Sequence, residues 1–103
     1  MNMRAKKMFT TALAVLLPFL AAAQIFTVGS FNLRYDSPND IGNLWKDRAP
    51  AVASLIHFHE YDILGTQEGL KHQLNDLMKA LPEYAYYGVG RDDGKEAGEH
   101  SAI

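Results

Sequence analysis

Apolar positions along the chain follow two rhythms, one of strands and one of helices. Ile25 to Leu33 is rich in β-branched and aromatic residues and reads as a first strand, leading into Asn32-Leu33-Arg34. A polar loop follows, Tyr35-Asp36-Ser37-Pro38-Asn39-Asp40-Ile41-Gly42-Asn43, dense in turn residues. Trp45, Ala49, Val52 and Ile56 then recur at spacings of four, three and four, which predicts an amphipathic helix. Pro50 bears on where that helix starts, because proline fits the first turn and damages the interior. Asp47 as N-cap puts Pro50 at the third helical position; a kinked, earlier start is the other solution. Asp62 to Thr66 is a second strand leading into Gln67-Glu68. Leu70, Leu74, Leu77, Met78 and Leu81 form a second helical stripe, stopped by Pro82. Tyr84 to Val89 reads as a third strand, Arg91 to Gly98 as a turn-rich loop, and Ser101-Ala102-Ile103 as the start of a fourth strand. The helices are expected to pack through Val52, Leu55, Ile56 and Leu74, Leu77, Leu81.

Two strands separated by a helix form a β-α-β unit, which is parallel, so both strands end at the same sheet edge. Open α/β sheets bind their ligands at that edge. Asn32 and Glu68 stand where the two runs stop, and an amide and a carboxylate brought together there could form one side of a metal and phosphate site. Each also has a structural reading: Asn at a strand end makes Asx-turns, and Glu before a helix favours the helix dipole. Their matching positions on two parallel strands favour a site.

The first 23 residues stand apart from the fold. Arg4, Lys6 and Lys7 precede an apolar run beginning Ala12-Leu13-Ala14-Val15-Leu16-Leu17, and Ala21-Ala22-Ala23 supplies small residues for cleavage before Gln24. Pro18 breaks that run, which is shorter than the roughly 20 residues needed to span a bilayer. The expectation is a signal peptide over 1–23, export to the periplasm or beyond the cell, and no integral membrane segment after cleavage. A retained N-terminal anchor is the alternative. The sequence has no cysteine, which excludes both a lipoprotein anchor and disulfide stapling. All 12 Asp/Glu lie beyond residue 23 with only seven of the ten Lys/Arg, so the folded portion is acidic. That balance argues against a generic basic nucleic-acid surface. It is compatible with a metal-dependent phosphate enzyme, because a bound cation reverses the local field.

The chain resembles the endonuclease/exonuclease/phosphatase superfamily, whose fold is that of pancreatic deoxyribonuclease. The resemblance rests on Ser30-Phe31-Asn32-Leu33-Arg34-Tyr35, on Gly65-Thr66-Gln67-Glu68, and on Gly88-Val89-Gly90-Arg91-Asp92-Asp93-Gly94 followed by Gly98-Glu99-His100-Ser101-Ala102-Ile103. The last two stretches resemble its exported bacterial branch. The resemblance implies an α/β fold (an α+β sandwich) of which residues 24–103 are the N-terminal β-α-β-α-β-β portion. It implies that Glu68 ligates Mg²⁺ or Mn²⁺ and that Asn32 helps hold the metal or the scissile phosphate. The implied activity is hydrolysis of phosphate esters, with nucleic acid, a phospholipid headgroup, or a sugar or inositol phosphate as substrate. The family's later motifs, a histidine, an Asp-x-Asn segment and a terminal Asp-His pair, do not follow Glu68 here. The 103 residues by themselves are therefore expected to be inactive, and the alternative is a non-catalytic chain acting at most as an interaction module.

Weaker candidates complete the reading. Arg91 and Arg34 could reach a phosphate with a planar guanidinium, against a solvated arginine in the first case and a local ion pair in the second. Glu99 is a weak site candidate. His57 and His59, two residues apart near a helix end, point in different directions. His72 falls on the polar side of the second helix, and His100 in a strand, so none of the four histidines is assigned to catalysis. Asp92-Asp93-Gly94-Lys95-Glu96 lacks the oxygen spacing of a calcium loop and reads as a turn.

Overall fold

A computed structural model describes residues 23–103, so the signal segment expected at 1–23 lies outside the described residues except for its last position. The described elements are β1 (Val28–Asn32), α1 (Trp45–His59), β2 (Ile63–Gly69), α2 (Lys71–Ala80) and β3 (His100–Ala102). They form a three-stranded sheet of order β1-β2-β3. β1 and β2 are parallel, with Val28 opposite Ile63 and Asn32 opposite Gln67. β2 and β3 are antiparallel, and the register shifts between Thr66 and Gly69. The mixed α/β fold expected from the sequence is present, and the β-α-β unit ends both parallel strands at one edge.

The core lies between the sheet and the two helices. Leu33, Trp45, Val52, Ala53, Ile56, Leu74, Leu77, Leu81 and Ala102 are buried in it. Leu55 is 40% exposed and takes no part; Ala53, on the same turn as Val52 and Ile56, fills its place. In β1 Gly29 and Phe31 are half-buried while Val28, Ser30 and Asn32 are exposed, so one sheet face carries the helices and the other is open. Among the described residues no helix is long and apolar enough to cross a membrane.

The open choice for the start of α1 falls to the earlier start, and two further expectations are corrected. Helix α1 starts at Trp45, with Leu44 rather than Asp47 at the N-cap, and Pro50 lies inside it. The earlier start is supported from outside the helix: Asp36 Oδ1 accepts the Trp45 N–H at 3.4 Å, and Leu44 C=O accepts from Asp47 and Arg48. Tyr84–Val89 forms no regular strand. Tyr87 and Ile103 exchange two backbone hydrogen bonds of 2.7 and 2.9 Å, Gly90 bridges His100 and Arg91 N–H donates to Glu99 C=O at 3.0 Å, but these contacts do not join into a regular strand. This segment has a partner on one side only, and Gly88 is pressed against Ala102 so closely that a Cβ would meet Ala102 Cβ at 2.7 Å. Strand β1 is also shorter than Ile25–Leu33, with Ile25 and Phe26 exposed. Helix α2 ends as expected before Pro82, its last turn closed by Leu81 N–H on Leu77 C=O at 2.8 Å.

Candidate active site

The carboxyl ends of β1 and β2 carry the candidate site. A regular strand would send Gln67 and Glu68 to opposite faces. Gln67 turns to the open face, where its Nε2 donates to Ser30 Oγ at 3.1 Å. Glu68 escapes the alternation through its backbone, with φ of 61° in the left-handed region. It lies within the register shift, where Thr66 to Gly69 on β2 face only Ala102 to His100 on β3. A bulge of this kind re-aims a side chain beside a site, and here it puts the Glu68 carboxylate next to Asn32.

The electrostatics follow from that placement. The Asn32 side chain, then the Tyr35 N–H, and least of all the positive charge of Arg34 hold the Glu68 carboxyl below its ordinary range, against an opposing effect of burial that is smaller than the first two and larger than the last. Tyr35 N–H donates to Glu68 Oε2 at 3.2 Å. Asn32 also makes the Asx-turn of its structural reading: its Oδ1 accepts the Arg34 N–H at 2.7 Å. The two readings of Asn32 are therefore compatible. Its oxygen closes the turn while its amide faces the carboxylate.

Two depressions flank Glu68. One, of about 360 Å³, is lined by Arg34, Tyr35, Ser37, Asn39, Asp40 and Glu68. The other, of about 400 Å³, is lined by Glu68 together with Gln67, Val89, Arg91, Glu99, His100 and Ser101. Each candidate arginine thus shares a depression with Glu68. Each also has an acid: Arg34 Nη2 pairs with Asp40 Oδ1 at 2.8 Å, and Arg91 Nη1 with Glu99 Oε2. The largely apolar hollow beside Leu64, Leu74, Met78 and Tyr86 contains none of these groups and belongs to the core.

The histidines stay outside this edge, apart from His100. His57 pairs with Glu83 and His72 with Asp36, both on the surface. His100 lines the second depression but is buried, with Nδ1 3.0 Å from Gly98 C=O. Asp93 Oδ1 accepts the N–H groups of Lys95 and Ala97, which is the turn expected of Asp92–Glu96.

Among the described residues no group of three or more His, Asp or Glu is placed to hold a metal. The donor chemistry at Glu68 still fits a hard divalent cation. Mg²⁺ takes one or two carboxylates and keeps several waters, and Glu68 is an ionised, half-exposed carboxylate with lone pairs to spare.

Sequence reasoning missed three contributors: the Tyr35 backbone N–H, Arg48 and Gln73. Arg48 donates to the carbonyls of Leu33 and Arg34, and Gln73 donates to that of Arg34. Gln73 carried one local signal, its place three residues after the helix cap, where its Oε1 accepts the Leu70 N–H at 3.0 Å.

No family model matches the chain. No curated protein matches it either. Solved structures do. A mannosyl-6-phosphatase of Bacteroides thetaiotaomicron is 51% identical with a TM-score of 0.74, over 76% of this chain and 30% of its own. An endonuclease/exonuclease/phosphatase family protein from the same organism is 52% identical with a TM-score of 0.73, over 75% of this chain and 28% of its own. One from Bacteroides vulgatus is 52% identical with a TM-score of 0.69, over 71% and 28%. The chain therefore spans 28–30% of the length of these structures. Identity above half, sustained through a shared fold, makes this chain a member of the endonuclease/exonuclease/phosphatase family.

Proposed function

We propose that the protein carrying this chain is an exported, metal-dependent phosphoesterase that removes phosphate from a sugar phosphate. One observation carries the reading: an ionised carboxylate, Glu68, is held by Asn32 and the Tyr35 N–H at the common edge of two parallel strands and shares a depression with each of two arginines. The sugar rests on the 51% identity to a mannosyl-6-phosphatase. Export rests on the basic, apolar and small-residue succession of residues 1–23, which implies a periplasmic or extracellular site of action.

Glu68 is the residue that would hold Mg²⁺ or Mn²⁺. When bound, the cation supplies positive charge against the phosphoryl oxygens and lowers the pKa of water. Asn32 orients the carboxylate and keeps it charged. Arg34 and Arg91 stand where their guanidinium groups can share phosphoryl oxygens, loosening their pairs with Asp40 and Glu99 as they do so.

The test uses the longest translated product of the gene. It is assayed with Mg²⁺ against mannose 6-phosphate, a phosphodiester and plasmid DNA, as wild type and as Glu68→Gln. Glutamine keeps the volume of the side chain and loses the charge a hard cation requires. The expected result is hydrolysis of the sugar monoester, abolished by chelation and by Glu68→Gln, with a urea midpoint that falls only slightly. Turnover that persists in Glu68→Gln would remove Glu68 from the chemistry. Preference for DNA would replace the sugar with a nucleic acid.

A further inference from the structure

Two side chains from two different helices converge on one carbonyl oxygen at the rim of the site. Arg48 Nη2 and Gln73 Nε2 donate to Arg34 C=O at 3.0 and 3.1 Å. Arg48 also donates to Leu33 C=O at 2.8 Å and to Asn43 C=O at 2.7 Å, so each of its three guanidinium nitrogens donates to backbone. Gln73 is fully buried, and its Oε1 accepts from Asp36 N–H at 3.3 Å as well as from Leu70.

Four of these bonds grip residues 33–36, the turn whose N–H groups address Asn32 and Glu68. Its central residue is strained, since Arg34 has φ of 58°. A non-glycine residue stays in that region only where its surroundings over-determine it. Arg48 and Gln73 supply that determination from α1 and α2. Neither touches the Glu68 carboxylate; both act through the peptide that does.

We propose that Arg48 and Gln73 are positioning residues that lock the Arg34–Tyr35 peptide against Glu68 and thereby set the affinity of Glu68 for a divalent cation. The affinity part rests on the metal reading of Glu68 above. Packing on the Trp45 ring, whose centroid lies 5.5 Å from the guanidinium carbon, is the competing role for Arg48. It predicts lost stability without a local change at the turn.

The experiment compares wild type, Arg48→Met and Arg48→Lys in the longest translated product. Methionine keeps an apolar stem on Trp45 and removes every donor; lysine keeps the charge without the planar fork. Backbone ¹⁵N order parameters at Arg34 and Tyr35 are read beside Mn²⁺ titrations and urea melts. In Arg48→Met the order parameters should drop from about 0.85 to below about 0.6. Mn²⁺ affinity should weaken by roughly 10–100-fold, the usual effect of losing a partner that orients a ligand. Lysine should restore neither, and it serves alone if Arg48→Met does not fold. Order parameters unchanged at both residues in a folded variant would overturn the proposal, and so would unchanged Mn²⁺ affinity beside a loosened turn. A wild type that binds no Mn²⁺ overturns the metal reading before any variant is made, while the order parameters still decide whether Arg48 holds the turn.

Discussion

Replacing Arg34 by alanine and by glycine separates three quantities that meet at this residue: backbone strain, an ion pair and contact with substrate. Arg34 has φ of 58°, and its half-exposed guanidinium pairs with Asp40 Oδ1 at 2.8 Å. Both substitutions leave the backbone bonds of residue 34 to Asn32, Arg48 and Gln73 available. Alanine loses only the exposed pair, worth about 0.2–1 kcal/mol, and keeps the left-handed strain. Glycine loses the same pair but sheds strain of about 1–2 kcal/mol. Against that stands about 0.4–1 kcal/mol of extra freedom in the unfolded chain. Arg34→Gly should therefore be more stable than Arg34→Ala by about 0.5–1 kcal/mol, the reverse of the usual order, in which glycine is the worse residue by a similar amount. Urea unfolding followed by fluorescence reads this well, because Trp45 is the one tryptophan of the sequence and is 2% exposed in the fold. If Arg34 shares phosphoryl oxygens, both variants raise KM equally while their stabilities diverge. An alanine variant as stable as the glycine variant, or more so, would refute the strain argument and with it the need for a clamp on this turn.

Two further outcomes are expected. Glu68 is held below the ordinary carboxyl value of 4.5, so metal binding should persist as pH falls past that value and fade only below it. A carboxylate with a depressed folded pKa adds stability that is present above its unfolded pKa and lost as pH falls through the folded one. Removing its main partner with Asn32→Ala should move the acid limb of Mn²⁺ binding to higher pH, which titrations from pH 6 downward would check. Gly88→Ala would drive a Cβ to 2.7 Å from Ala102 Cβ and 2.9 Å from Ala102 Cα, so overpacking should cost about 1–3 kcal/mol in a urea titration.

Much of the site was legible because its logic is topological. Two apolar runs separated by one amphipathic helix imply parallel strands, and parallel strands end together. That alone brought Asn32 and Glu68 to one edge, and the apolar stripes of α1 and α2 named most of the core. What periodicity cannot express is a break in its own rule. The left-handed turn at Glu68 and the extra residue opposite β3 depend on pairing with a strand more than thirty residues away. The start of α1 likewise involves contacts from outside it, with Asp36 Oδ1 reaching the Trp45 N–H and the Trp45 side chain buried in the core and bonded to Asp76, none of which a local reading of Pro50 contains. Tyr84–Val89 has strand composition, but a ladder needs a neighbour along its whole length, and within this segment only Tyr87 exchanges backbone hydrogen bonds with the β3 end of the chain. Arg48 and Gln73 look like ordinary helix-surface and helix-cap residues until both helices pack on the sheet and bring them to one oxygen. The sequence alone determined which chemistry-bearing residues lie at the ends of the strands. The tertiary structure decided where those groups point, because direction at this edge is set by hydrogen bonds between segments far apart in the chain.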